Sequence, residues 1–114
     1  MTAKMAVVAH GGAGSGPARQ TNLQVAVDVA SKLLLSGASA VEAAVEACVI
    51  LEDDPVFNAG TGGVFRIDGS VLLDASIQTS DGRLGFVIAM KETPNPIRVA
   101  ADLLDHNILS LIHI

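Results

Sequence analysis

The alternation of apolar and polar positions changes character several times along the chain. Met5 to Ala9 is an unbroken apolar run that ends at His10 and a group of glycines. That is how a strand covered on both faces reads. Gly11, Gly12, Gly14 and Gly16 then predict a flexible loop, which Pro17 closes. From Ala18 to Ser36 the period becomes helical. Val25, Val29 and Leu33 stand four apart with Ala26 and Ala30 beside them, so one face is apolar. Gly37 follows at a C′ position. A second helix is predicted at once, because Ser39-Ala40-Val41-Glu42 fits the S-x-x-E capping box. Val41, Val45, Cys48 and Val49 form its buried stripe, and Asp53-Asp54-Pro55 stops it. The two helices make a hairpin about Gly37.

Phe57 to Gly63 is a second glycine-rich loop. Val64 to Ile67 and Ser70 to Asp74 predict two strands joined by Asp68-Gly69, a preferred pair for a two-residue type I′ turn. Asp81-Gly82 marks another turn, and Leu84 to Met90 is a nearly all-apolar strand. Asn95 is placed to cap a last helix, with Pro96 at its first position and the pattern continuing to Leu104. The expected class is α/β (α+β), in the order β-α-α-β-β-β-α.

Composition narrows the picture. At 114 residues the chain is one domain at most. A formal net charge of −5 is a poor match for nucleic acid or an anionic membrane. With 3% aromatic residues and no Trp or Tyr, there is no base-stacking platform. Hydrophobic residues make up 50% and charged residues 17%, few charges with which to cover a small sphere. The expectation is a part of something larger, or an obligate oligomer. The single cysteine, Cys48, allows no intrachain disulfide and points to the reducing cytoplasm. The first apolar run is too short for a signal-peptide core, and none approaches the roughly 18 residues of a membrane span.

The first glycine loop does not fit a nucleotide. Counting G-x-G-x-x-G from Gly12 places Pro17 at the last glycine, and Pro17-Ala18 stands where a P-loop needs Lys-Ser/Thr. The loop reads instead as close backbone approach at a strand end. His10 has no second histidine or carboxylate at ligand spacing, which argues against zinc. The segment from Leu51 to Gly63 joins a helix end, with its unpaired carbonyls, to a glycine loop. Such a loop can ring a hard monovalent cation with oxygens, or it can be a plain turn capped by water. Spacing alone leaves both open.

Four segments occur in one order: His10-Gly11-Gly12-Ala13-Gly14, Leu51-Glu52-Asp53-Asp54-Pro55 with Phe57-Asn58-Ala59-Gly60, Asp74-Ala75-Ser76-Ile77, and Asn95-Pro96-Ile97. Together, over Ala6 to Leu104, they resemble the plant-type L-asparaginase / isoaspartyl aminopeptidase family of N-terminal-nucleophile threonine hydrolases. The resemblance implies an αββα sandwich. It implies a precursor that cuts itself at a Gly-Thr bond into α and β subunits. The freed threonine hydroxyl would then attack L-asparagine side-chain amides and the β-linkage of isoaspartyl dipeptides. Its own α-amine, titrating near about 8, would be the base. The resemblance also implies a structural sodium ion held by the backbone carbonyls of Leu51, Glu52, Asp54, Phe57, Ala59 and Thr61. His10, Gly11 and Gly12 would be the mobile glycine loop beside the catalytic threonine, and Asn58 would lie close to it. No organic cofactor is implied, and the complete enzyme would be a dimer of αβ units.

The nucleophile, the oxyanion donors and the substrate-gripping residues of the family belong to its β subunit. The expectation is therefore that residues 1–104 are the N-terminal portion of an α subunit and 105–114 an atypical tail. Such a chain would be inactive until the missing C-terminal half is supplied in cis or in trans. Gly60-Thr61 is a Gly-Thr pair, but cutting there would split the sodium loop, so Thr61 is rejected as nucleophile. Two other readings stand beside this one. A truncated, non-catalytic product could act only as a subunit-pairing or binding module. A glycosylasparaginase-like enzyme is the third, against which the lone cysteine and the missing signal peptide weigh.

Overall fold

The structure, a computed structural model, describes residues 4–14, 16–106 and 110–112. A short 3₁₀ turn at Pro17–Arg19 leads into helix α1, Gln20–Leu35. Its end is a Schellman motif: the Ala38 N–H donates to Leu33 O (3.0 Å) and the Gly37 N–H to Leu34 O (3.1 Å), with Gly37 at φ +96°. Helix α2, Ala40–Asp53, then starts with both bonds of the expected capping box. The Glu42 N–H donates to Ser39 Oγ (3.1 Å), and the Ser39 N–H to Glu42 Oε2 (3.2 Å). Ala26, Ala30 and Ala43 are buried, and their small size lets the two helices pack closely.

Strand β1, Leu73–Gln78, pairs antiparallel with β2, Leu84–Met90. Helix α3, Pro96–Asp105, follows, and β3, Ser110–Ile112, runs parallel to β2 on its other side. The sheet order is β1-β2-β3. Helix α3 lies directly on this sheet. A Cβ at Gly85 would stand 3.3 Å from Leu103 Cβ, so glycine there sets the approach of helix to strand. Val45 and Val49 from α2, Ile77 from β1, and Ile97, Ala100 and Leu104 from α3 form one core cluster. Val87, Met90 and Leu103 form a second.

Four sequence expectations are corrected. Met5–Ala9 is not a strand. A strand exists only by pairing its backbone, and no strand among the described residues lies beside this run. It passes α1 and α2 instead, with Val8 95% exposed. Val64–Ile67 and Ser70–Asp74 do not form the predicted ladder either. β2 reaches no further than Met90, which faces Leu73, so the residues before Leu73 have no strand opposite them. The turn at Asp68-Gly69 is real but not type I′. Gly69 is at φ +82° and Asp68 is not in the positive region. The Gly69 N–H donates to Arg66 O (2.9 Å) and the Arg66 N–H to Ser70 O (2.8 Å), a three-residue loop ending in a left-handed glycine. The Asp81-Gly82 turn between β1 and β2 repeats this geometry, with Gly82 bonded to Thr79 O (3.0 Å) and Thr79 to Arg83 O (2.9 Å). Lastly, Asn95 stands at the N-cap of α3, but its side chain makes no cap bond.

The β1–β2 ladder carries a bulge. Leu73 faces Met90 while Ala75 faces Val87, and Ala89 sits at φ +57°. The carboxylate of Asp74 accepts from the Ala89 N–H at 2.8 Å and fills the gap in the ladder.

The class is α/β, and the observed layers are one of helix and one of sheet. The molecule measures 55 × 39 × 19 Å. Its accessible surface is 7564 Å², against about 5,800 Å² for a compact monomer of this mass. Leu84 and Ile88 are exposed on the sheet face away from α3, and Phe65 and Ile67 on the turn before β1. Among the described residues no helix is long and apolar enough to cross a membrane.

Candidate functional site

The two glycine loops, distant in sequence, meet around a hollow of about 490 Å³. His10, Gly11, Gly12, Ala13 and Gly14 line one side. Leu51, Phe57, Asn58 and Ala59 line the other, with Arg19 and Val64 completing the wall. The buried ring of Phe57 presses on the glycine loop: a Cβ at Gly11 would come within 2.9 Å of Phe57 Cε1. Only glycine allows that approach. The Gly12 N–H donates to His10 Nδ1 at 3.0 Å, which leaves Nε2 as the proton-bearing nitrogen of the neutral ring. Asn58 Oδ1 accepts from the Val64 N–H (3.0 Å), so the Nδ2 end is its free donor.

The start of α1 clamps the second loop. Arg19 donates to Val56 O. Asn22 Nδ2 donates to Asp54 Oδ2 at 2.9 Å, and Asp54 Oδ1 accepts from the Val56 N–H at 3.1 Å. Nothing local in the sequence marks Arg19 or Asn22 for this role. The only signal is that the loop they hold is rich in carbonyls.

The end of α2 leaves oxygens free for a physical reason. A continuing helix would pair the Leu51 and Glu52 carbonyls with the amides of residues 55 and 56. Pro55 has no N–H, and the Val56 N–H turns to Asp54. The loop then folds back. The Phe57 N–H donates to Asp54 O (3.2 Å), the Gly62 N–H to Ala59 O (2.9 Å) and the Gly63 N–H to Gly60 O (3.1 Å). Gly60, at φ +47°, sits on the Glu52 carbonyl, where a Cβ would also lie 2.8 Å from Glu52 Cβ. Gly62 sits on the Phe57 and Pro55 carbonyls, where a Cβ would clash with both. Two missing side chains therefore make a cradle faced by the oxygens of Glu52, Pro55 and Phe57. The negative end of the α2 dipole points there too. This donor set suits a hard monovalent cation. Among the described residues no three His, Cys, Asp or Glu side chains form a metal cluster, so a cation here would be held by carbonyls.

Of the six carbonyl residues named from sequence, Leu51, Phe57 and Ala59 line the hollow and Glu52 faces Gly60. Asp54 turns its carbonyl to the Phe57 amide, and Thr61 is exposed in a 3₁₀ turn, Gly60–Gly62. Pro55, not named from sequence, contributes an oxygen.

Glu52 is buried, 6% exposed as a residue, and its carboxylate leaves the loop for α3. Oε2 accepts from the Ile97 N–H (3.2 Å), and Oε1 from Asn95 Nδ2 (3.3 Å). Asn95 Nδ2 also donates to Asp53 Oδ1 at 3.0 Å, which is why it does not cap its own helix. Burial pushes the Glu52 carboxyl above its ordinary value, and the bonds from Ile97 and Asn95 partly oppose that rise.

Residues 3–112 match the family model described as asparaginase. The chain is 43% identical over 103 residues to an isoaspartyl peptidase/L-asparaginase of Nostoc sp., covering 82% of this chain and 32% of that protein. It is 42% identical over 102 residues to the Homo sapiens isoaspartyl peptidase/L-asparaginase, covering 82% and 33%. It is 39% identical over 108 residues to the plant-type L-asparaginase of Pyrococcus horikoshii, covering 89% and 35%. The chain spans about a third of the length of the curated relatives it matches.

Proposed function

The chain belongs to the asparaginase family, and from that premise we propose that it supplies the first part of a hydrolase acting on the L-asparagine side-chain amide and on β-aspartyl peptides. The observation that carries the reading is the meeting of two glycine loops on one hollow. In this reading the nucleophile is a threonine freed by autocleavage of a Gly-Thr bond in sequence that lies outside these residues. Its hydroxyl attacks the amide carbon and its α-amine takes the hydroxyl proton. Ammonia or the peptide amine leaves, and water cleaves the resulting ester. His10, Gly11 and Gly12 form the flexible wall beside that threonine. Asn58 lines the same hollow beside that threonine, its Oδ1 held by the Val64 N–H.

The 51–61 loop is the sodium site of this reading. The carbonyls of Glu52, Pro55 and Phe57, which face the cradle, would hold the ion, with those of Leu51, Asp54, Ala59 and Thr61 completing the set that the resemblance implies. The ion supplies positive charge where a helix ends in free oxygens, and it takes no part in bond making. Thr61 is no candidate nucleophile here, because Gly60 must stay joined to it to rest on Glu52. The exposed sheet face carrying Leu84 and Ile88 is the surface on which the rest of the enzyme packs, and the complete enzyme is a dimer of αβ units in the cytoplasm.

The test is the intact product read to its natural stop, or this chain co-expressed with the following half. Release of ammonia from L-asparagine, and of aspartate from β-aspartyl dipeptides, is expected. A folded, complete product that releases neither would overturn the reading.

A further inference from the structure

We infer that Glu52 is a positioning residue that ties the cation loop to the first turn of α3, so that the two form one mechanical unit. The last turn of α2 carries Glu52 and Asp53 with no basic residue, an arrangement its own dipole disfavours. The structure resolves the conflict by giving each carboxylate a donor from elsewhere. Asp53 takes Asn95, and Glu52 takes both Asn95 and the Ile97 amide, 45 residues away in sequence. Pro96 has no N–H, so the Ile97 amide is the first donor of α3, and Asn95 makes no cap bond of its own. A negative carboxylate at that helix start is favourable for the same dipole reason that makes it unfavourable on α2.

The backbone of the same residue faces the other way. Gly60 rests on the Glu52 carbonyl and Cβ, and it opens the 3₁₀ turn of Gly60–Gly62. A shift of the Glu52 side chain therefore moves the floor of the loop. The carboxylate itself is not a ligand here. It fixes the carbonyl that is.

This deepens the sodium reading by naming what holds the loop in shape, yet it can be tested without the ion. Amide hydrogen exchange would be followed at Ile97, Phe57 and Gly62 in the full chain, in sodium-free buffer. Glu52→Ala is expected to speed exchange at all three by at least about tenfold, because a buried bond to a charged group is lost at one end of the unit. Glu52→Gln, which keeps an acceptor for Ile97, should restore most of the protection. If Glu52→Ala does not fold, Asn95→Ala leaves the carboxylate in place and should show the same three-site pattern at smaller size. Faster exchange confined to Ile97 in these variants means a local cap only and overturns the inference, as would no change at Gly62. Adding sodium chloride to the unsubstituted chain then tests the ion separately. Slower exchange at Gly62 supports the sodium site, and its absence removes the sodium reading while leaving the Glu52 result as measured.

Discussion

Three glycine-to-alanine substitutions, two in the second loop and one in the turn after it, separate backbone strain from close packing. Gly69 has φ +82° and nothing within 4 Å of an added Cβ, so Gly69→Ala carries only the left-handed penalty, about 1–2 kcal/mol. Gly62 has no positive φ, but its Cβ would clash with the Phe57 and Pro55 carbonyls. Gly62→Ala therefore carries only overpacking against backbone, about 1–3 kcal/mol. Gly60 has both, with φ +47° and the Glu52 backbone in the way, and the two costs together come to about 2–5 kcal/mol. Each alanine also stiffens the unfolded chain by about 0.4–1 kcal/mol, and that gain cancels in the comparison. Urea unfolding followed by circular dichroism gives the three values. The expected order is Gly60→Ala most destabilising and Gly69→Ala least harmful or equal to Gly62→Ala. If Gly60→Ala costs no more than Gly69→Ala, the loop is not folded onto the end of α2, and the carbonyl cradle fails with it.

Other measurements address other links. Asn95→Ala should push the Glu52 carboxyl further above its ordinary value of 4.5, because one of the two bonds that hold it down is lost. A carboxyl raised on folding adds stability below the ordinary value and loses it as pH rises through the raised one. The variant should therefore lose stability over a wider pH span, and a carboxyl-carbon NMR titration that shows no rise would count against the contact. Asp74→Ala should open the β1–β2 bulge and speed exchange of the Ala89 amide, at a cost of about 1 kcal/mol, while Asp74→Asn keeps an acceptor and most of the protection. The Arg98–Glu46 pair joins α3 to α2 at 2.9 Å but is 50% and 40% exposed. A double-mutant cycle should therefore return no more than about 1 kcal/mol, and falling further with salt.

What could be read from the sequence was what is local in space. The hairpin of α1 and α2 announces itself through Ser39, Glu42 and Gly37, each of which bonds within a few residues of its own position. Leu84–Met90 was legible because its apolar run sits between a glycine turn and Lys91. Met5–Ala9 has the same pattern, yet a strand needs a partner, and pattern cannot supply one. The Asp68-Gly69 pair fixed the place of a turn but not its length, which Ile67 decides by joining the loop. In the site, the likeness of His10–Gly12 and Leu51–Ala59 to a known family points to two loops that meet in space. The clamps have no local signature, because their bonds run from Asn22 to Asp54 and from Glu52 to Ile97, separations of 32 and 45 residues that leave no periodic trace.

The two Asp-Gly loops also bear on how the chain ages. An Asp-Gly bond rearranges when the glycine nitrogen attacks the aspartyl carboxyl carbon, closing a succinimide with loss of water. In both loops that nitrogen is engaged, Gly69 with Arg66 O and Gly82 with Thr79 O. The carboxyls are engaged as well. Bonds from the Ser70 hydroxyl and amide hold Asp68 below the usual carboxylate range. The Thr79 hydroxyl and Arg83 do the same for Asp81. An ionised carboxylate is a poor electrophile, and a bonded amide is a poor nucleophile. The turns that make these two sites tight hairpin loops are also what keeps the most rearrangement-prone bonds in the chain intact while it stays folded.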